Sequence, residues 1–396
     1  MLILGFESTA HTFGAAVVES SHASWKKSNS PKTRQHPHAG KSAHPSSNRA
    51  QLAPNDTKII SETDSKYPSL KEGFIPRKLA DFHSKNFDGI LDSTLAEAGI
   101  SLSDLDAVCY SYGPGIGHSL HIGYMAAKSI SVSRRIPLVP VNHALAHIEI
   151  ARFHSGFKDP LAIYVSGGNT QILVLENLDG PGILPSGDAP PRNANPYHSK
   201  TSCKHYRILG ETLDIGLGNY LDQVGRSLGL SPPDAVGVLK KAAEGKNLLP
   251  LPYIVKGMNT SYSGMLTAVR KLCGGGGKNI AKGKNLRSAN IPDICLSAQE
   301  YAFSMLLETA ERALTLTKKK EIVGVGGNYR NKRLSEMTSA LAKEHGIKCH
   351  FPSFGLLGDN AGMIAVTGAM QFASGCYSQN PEPNQKARVD GETVCW

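Results

Sequence analysis

His143 and His147 in VNHALAHIEIA stand four residues apart. On a helix that spacing puts both imidazoles on one face, within reach of a single cation. Two imidazoles do not complete a site. A hard oxygen ligand has to come from elsewhere, and the best candidate is Asp359 in GLLGDNAGMIA, an acid at a turn before an apolar, helix-forming run. Plainer roles exist for each: a pair of ordinary helix histidines, and an acid that caps the helix it precedes. A zinc-protease reading fails, because Ala144 and Leu145 stand where the His-Glu-x-x-His pattern places its general base, and neither takes a proton from water. A cation here suits holding phosphate and substrate oxygens better than making hydroxide.

Two similar stretches supply the elements that position these residues. LILGFESTAHTFGAAVVE, from Leu2, and LAIYVSGGNTQILVLE, from Leu161, each run apolar, then small and hydroxylic, then apolar, which predicts a β-hairpin in both places. Helices and buried-type strands follow each: LADFHSKNFDGILDSTLAEAG and LSAQEYAFSMLLETAERALTLT read as helices, DAVCYSYGPG and EIVGVGG as strands running into glycine turns. The pattern predicts a duplicated α/β protein. Backbone N–H groups in Gly/Ser/Thr turns can approach an anion without a side chain in the way, so Ser8-Thr9 and Ser166 to Thr170 are predicted as the two jaws of a phosphate clamp.

The chain has 396 residues, enough for two to three domains. Counting Gly and leaving out Tyr, about 47% of it is apolar, which excludes a wholly disordered polymer. A net charge of +10 favours polyanionic partners, nucleic acid above all. Seven scattered Cys without a Cys-x-x-Cys pair argue for a reduced intracellular chain, and no apolar run is long enough for a membrane span. Three stretches have the composition of insertions: about 20–69, 180–204 and 274–290. The first carries Lys26, Lys27, Lys32, Arg34, Lys41 and Arg49, which read as a solvated tail or as contacts to RNA backbone.

Taken together, GFESTAHTFG (5–14), YGPGIG (112–117), NHALAH (142–147), YVSGGNTQ (164–171), GETLDIGLGNYLD (210–222), LPYIVKGMNTSYSG (251–264), SAQEYAF (297–303) and GDNAGMIA (358–365) resemble one family over nearly the whole chain outside the insertions. That family is the universal tRNA threonylcarbamoyltransferases, within the actin/Hsp70/sugar-kinase superfamily. The tail QKARVDGETVCW resembles the eukaryotic and archaeal branch, the catalytic subunit of the KEOPS complex.

The resemblance implies a two-lobed, duplicated actin-like fold, with lobes over 1–155 and 156–396 and a nucleotide and metal site between them. It implies transfer of a threonylcarbamoyl group from threonylcarbamoyl-AMP to the N6 amine of the adenosine beside the anticodon in ANN-decoding tRNAs. It assigns metal ligation to His143, His147 and Asp359, nucleotide or metal contact to Tyr164, Val165, Ser166, Gly167 and Gly168, and nucleotide binding to Asp222 and Asn331. One divalent ion, Fe or Zn, a kinase-like subunit and small helical subunits as partners, and a place in the cytoplasm and nucleus are implied as well. Two other functions remain in view: a non-catalytic scaffold of such a complex, and a small-molecule kinase or ATPase of the superfamily.

The chain also departs from the family pattern. No Glu occupies the ribose-side register in SPPDAVGVLKKAAEG, where Asp234 is the available substitute. Asn328, Tyr329 and Arg330 stand where the family has small residues, which predicts a narrowed or re-lined base pocket. Ala361-Gly362 reverses the family's usual order.

Overall fold

The computed structural model describes residues 1–21, 57–68, 75–177, 203–272, 290–378 and 382–396. Its first sheet contains β1 (Leu2–Glu7), β2 (Thr12–Ser20), β3 (Thr57–Lys66), β4 (Ala107–Gly113) and β5 (Leu138–Asn142), in the order β3-β2-β1-β4-β5. The first hairpin pairs β1 with β2 antiparallel, and β1, β4 and β5 run parallel. Helix α1 (Pro76–Ala98) starts on a proline and stops at Gly99, whose φ of 67° supplies the left-handed turn that ends it. It is followed by α2 (Gly117–Arg134) and α3 (His143–Ser155).

The second sheet repeats this topology. It is built from β6 (Leu161–Val165), β7 (Thr170–Asn177), β8 (Lys204–Glu211), β11 (Glu321–Val325) and β12 (Lys348–His350), in the order β8-β7-β6-β11-β12. A last strand, β13 (Thr393–Val394), adds antiparallel to β8 at the edge. Between β8 and β11 come α4 (Leu217–Ser227), α5 (Ala235–Ala242), a small hairpin of β9 (Val255–Lys256) and β10 (Asn259–Thr260), α6 (Ser263–Leu272) and α7 (Ile291–Thr317). After β11 come α8 (Lys332–Glu344), α9 (Phe354–Leu357) and α10 (Ala361–Ser374). The duplicated actin/Hsp70/sugar-kinase-like architecture is thus present strand for strand.

Of the repeat's last helices, α3 lies between the two sheets and α10 packs beside it on the first. Ala144, Leu145 and Ile148 of α3 pack on Tyr164, Val323 and Val325 of the second sheet. Ala146 and Ile150, on the other side of α3, join α10 in the core of the first sheet. Every residue from His143 to Ala151 and from Ala361 to Phe372 is buried, as expected of helices covered on all sides. A Cβ on Gly5 would meet the Ala365 backbone at 2.7 Å, so glycine in β1 is what lets α10 lie this close. Both helices therefore bring their N-termini to one place.

The insertion expected over 20–69 contains a strand. Ser20 ends β2, and Thr57–Lys66 forms β3, at the edge of the first sheet. Its sequence, TKIISETDSK, hides the alternation because one of its sides lacks a neighbouring strand and tolerates polar residues. Lys204 likewise opens β8, and Asn290 stands at the N-terminus of α7. Ser21, Tyr67, Pro68 and Cys203 are also described; the rest of the three stretches, with the basic residues from Lys26 to Arg49, lies outside the described residues. Among the described residues, no helix is long and apolar enough to cross a membrane.

Candidate metal and nucleotide site

The site begins with two helix caps. Asn142 caps α3, its Oδ1 accepting from the Ala144 and Leu145 N–H groups at 2.9 and 3.2 Å. Asn360 caps α10, accepting from Met363 N–H at 2.8 Å. The capping role considered for Asp359 thus falls to its neighbour, and Asp359 is left to face α3. The His143 and His147 rings meet edge to face, with centroids 4.7 Å apart. Asp359 Oδ1 lies 3.5 Å from His143 Nε2 and 3.4 Å from His147 Nε2. One ligand atom from each of the three residues lies within 4.8 Å of the other two.

Behind the trio stands a residue to which the sequence reading gave no role. Glu7, at the end of β1, is fully buried, and its Oε2 lies 3.0 Å from His143 Nδ1. Its Oε1 accepts from the Thr9 N–H at 2.7 Å and from the Thr9 hydroxyl. A lone acid at the end of the apolar run LILGFE is the signal that could have found it, since a buried carboxylate needs partners. Burial works against the His143 imidazolium, but the Glu7 and Asp359 carboxylates override it and hold the pKa well above the ordinary value. His147, deeper and beside a charged His143, is pushed down by burial. Burial alone would raise Asp359, but the two imidazoles hold it well below the usual carboxylate range.

These residues fit a metal ion. Neither His147 ring nitrogen has a hydrogen bond of good geometry among the described residues, although the ring is almost fully buried. Such an orphaned donor–acceptor pair is costly unless something else engages it. Two imidazole nitrogens and one carboxylate, with a second carboxylate holding the far nitrogen of one ring, form the donor set of a transition-metal site.

The second hairpin turn adjoins this cluster. Tyr164, in β6, is buried with its ring 5.6 Å from that of His147, and burial raises its phenol pKa. Val165 ends the strand within the core. The Ser166 Oγ accepts from Asn169 N–H at 3.0 Å, closing a turn in which Gly167 and Gly168 are exposed. A Cβ on Gly168 would meet nothing within 4 Å, so open space lies beyond that backbone. The other predicted jaw differs: Ser8 N–H donates to Ser111 Oγ at 3.0 Å and Thr9 N–H to Glu7, so those amides are already engaged. The β1–β2 turn positions Glu7 and does not offer an anion cradle.

Further along, Asn331 caps α8 by accepting from Arg333 N–H at 2.9 Å, and its Nδ2 donates to Gln299 Oε1 at 3.1 Å. Gln299, Glu300, Arg333, Leu239 and Ala242 help line an open cavity of about 500 Å³ between α5, α7 and α8. Asp222 accepts from Ala235 N–H at 2.9 Å, and Asp234 caps α5 through Val236 N–H at 2.9 Å. Asp222 is therefore half-buried against the start of α5, not a solvent-facing helix acid. Tyr329 is buried, stacked on Phe351 at 5.3 Å; Asn328 donates to Ser166 O at 3.0 Å; Arg330 stacks on Phe354 and donates to its carbonyl at 3.1 Å. None of the three lines the cavity, because a tyrosine in the short 3-10 turn after β11 has an apolar core to fill.

A repeated actin-like lobe, with imidazoles and a carboxylate meeting where the two halves join, defines a protein of the actin/Hsp70/sugar-kinase class. Comparison with known proteins narrows this. The family model described as tRNA N6-adenosine threonylcarbamoyltransferase matches residues 57–184 and 177–366, and the chain belongs to that family of transferases. A Staphylothermus marinus relative of the same description is 38% identical over 399 residues, 99% of each chain. A Methanosarcina mazei relative, described as a probable bifunctional tRNA threonylcarbamoyladenosine biosynthesis protein, is 38% identical over 346 residues, 86% of this chain. The chain spans about 56% of the length of that relative. Among solved structures, HypF of T. kodakarensis is similar with a TM-score of 0.51 at 14% identity, over 93% of this chain and 47% of that one, a likeness of fold alone.

Proposed function

We propose that this chain transfers the threonylcarbamoyl group of threonylcarbamoyl-AMP to the N6 amine of the adenosine beside the anticodon in ANN-decoding tRNAs. The observation that carries this is the meeting of His143 and His147 of α3 with Asp359, in the turn before α10, beside the Ser166 to Asn169 turn. Those three side chains hold one divalent ion, Fe or Zn. When bound, the ion supplies a Lewis acid for the phosphate and the carbamoyl carbonyl. Glu7 fixes the His143 ring through Nδ1. Gly167 and Gly168 admit the phosphate close to the backbone. Asp222, on α4 against the start of α5, and Asn331, at the start of α8, flank the nucleoside end of the site. AMP leaves as the amine attacks, so no protein nucleophile is needed; the work of the protein is to orient two substrates.

The bifunctional Methanosarcina relative extends well beyond the region shared with this chain. A kinase-like partner and small helical subunits complete a KEOPS-like assembly with this chain, in the cytoplasm and nucleus. The net charge of +10 supports contact with tRNA phosphates. The test is to incubate the chain and its partners with threonylcarbamoyl-AMP and unmodified tRNA, then to digest to nucleosides. Threonylcarbamoyladenosine is expected, and its yield should collapse with His147→Ala. Product at an undiminished rate from that variant would overturn the assignment.

A further inference from the structure

Three cysteines far apart in sequence meet at the edge of the second sheet. β13 pairs with β8 through Thr393↔His205 and Val394↔Lys204. One more step in the same register sets Cys395 opposite Cys203, and their sulfurs lie 2.7 Å apart. Directly opposed residues of an antiparallel pair have Cα atoms about 4.5–5.5 Å apart, inside the roughly 4.4–6.8 Å window of a disulfide. Cys376, just after the Gly375 that ends α10, interacts with Cys395 through its sulfur and lies 3.7 Å from Thr393 O. The other described thiols sit apart in separate cores: Cys109 under the first sheet, Cys295 and Cys349 under the second.

The segment that carries Cys395 reaches the helix with the two histidines. Asn142, the cap of α3, donates through Nδ2 to Glu392 Oε1 at 3.0 Å and to Arg388 O at 3.2 Å. Trp396 Nε1 donates to Glu149 Oε2, on α3, at 2.7 Å. Asn384 N–H donates to Tyr112 O at 2.7 Å, tying the same segment to the first sheet. Anything that fastens this tail to β8 also fastens the start of α3.

We propose that Cys203 and Cys395 are a redox modification site: they form a disulfide that staples the C-terminal segment to β8, and Cys376 is the thiol through which a small-molecule disulfide such as oxidised glutathione delivers the oxidation. The Cys376 thiolate attacks one oxidant sulfur, and one glutathione thiolate leaves. The Cys395 thiolate then attacks the Cys376 sulfur and expels the second. The Cys203 thiolate attacks the Cys395 sulfur and returns Cys376 as a thiolate. Overall, two protein thiols give up two electrons and two protons, and one oxidised glutathione becomes two reduced ones. Of the pair in contact, Cys376 has its pKa lowered by the hydrogen bond from Cys395, which suits it to the first attack.

The experiment uses the full chain, equilibrated with oxidised or reduced glutathione, alkylated, and mapped as non-reduced peptides. A Cys203–Cys395 linkage with Cys376 alkylated is expected, reversed by dithiothreitol. Cleavage by trypsin after Lys386 and Arg388 should slow at least about tenfold on oxidation, because the stapled tail opens less often. Cys376→Ser should slow formation of the linkage by a similar factor without changing its identity. Full alkylation of Cys203 and Cys395 in excess oxidised glutathione, or a stable Cys376–Cys395 linkage instead, would overturn the site. An unchanged trypsin rate would overturn the staple, and an unchanged rate with Cys376→Ser the relay.

Discussion

Replacing Glu7 by Gln isolates what the buried carboxylate does for His143. A carboxylate accepts on both oxygens, so Glu7 can take the Thr9 N–H at 2.7 Å on one and the His143 Nδ1 proton at 3.0 Å on the other. With that proton on Nδ1, the lone pair of His143 Nε2 is free on the side of Asp359. Gln has one accepting end and one donating end. If its oxygen keeps Thr9, its NH₂ meets Nδ1, which must then accept, and the ring proton moves to Nε2 where it blocks ligation. If the amide turns round, its NH₂ faces the Thr9 N–H, donor against donor. The first arrangement costs the ligating lone pair, and the second strands a buried donor at about 1–3 kcal/mol. Losing the carboxylate behind a metal-bound imidazole lowers affinity about 10–100-fold, or about 1.4–2.8 kcal/mol. The assay is a Zn²⁺ titration of the metal-stripped chain against a chromophoric chelator, with circular dichroism to confirm the fold. Folded Glu7→Gln that binds Zn²⁺ within about twofold of the unsubstituted chain would refute the reasoning.

Four further outcomes follow from buried groups and from the space beside two glycines. His83 is fully buried beside Phe13, and burial pushes its pKa from 6.5 down to about 4. The unfolded chain then binds this proton more tightly, so the stability present above pH 6.5 is lost as pH falls towards 4, by about 3 kcal/mol in all. Urea midpoints against pH should show that slope, and His83→Leu should flatten it; an equal slope in the variant contradicts the assignment. Glu149→Ala removes the buried partner of Arg152, Tyr206 and Trp396 and should cost about 3–5 kcal/mol in denaturant unfolding, whereas a loss under about 1 kcal/mol would show Arg152 finding another partner. Gly168→Val projects into open space and should leave stability within about 0.5 kcal/mol while weakening AMP binding by calorimetry. Gly216→Ala, whose Cβ would lie 2.6 Å from Gly167 O, should instead destabilise the fold by about 1–3 kcal/mol.

Local patterns were legible in the sequence because their causes are local. The two hairpins follow from alternation and small turns, and α1, α3 and α7 from their period. The i, i+4 spacing alone places His143 and His147 on one face of a helix. Other features depended on what each segment packs against. β3 is polar in sequence and is a strand only because β2 offers it an edge. Tyr329 looked like a pocket residue and fills the core, since only the folded chain puts Phe351 beside it. Glu7 was one acid among 33 acidic residues until burial forced it to choose His143 and Thr9. Asp359 reaches the imidazoles because α10 returns to the first sheet beside α3, which lies between the two sheets. Sequence periodicity fixes which way a side chain faces on its own element; which elements face one another is settled by burial across the whole chain.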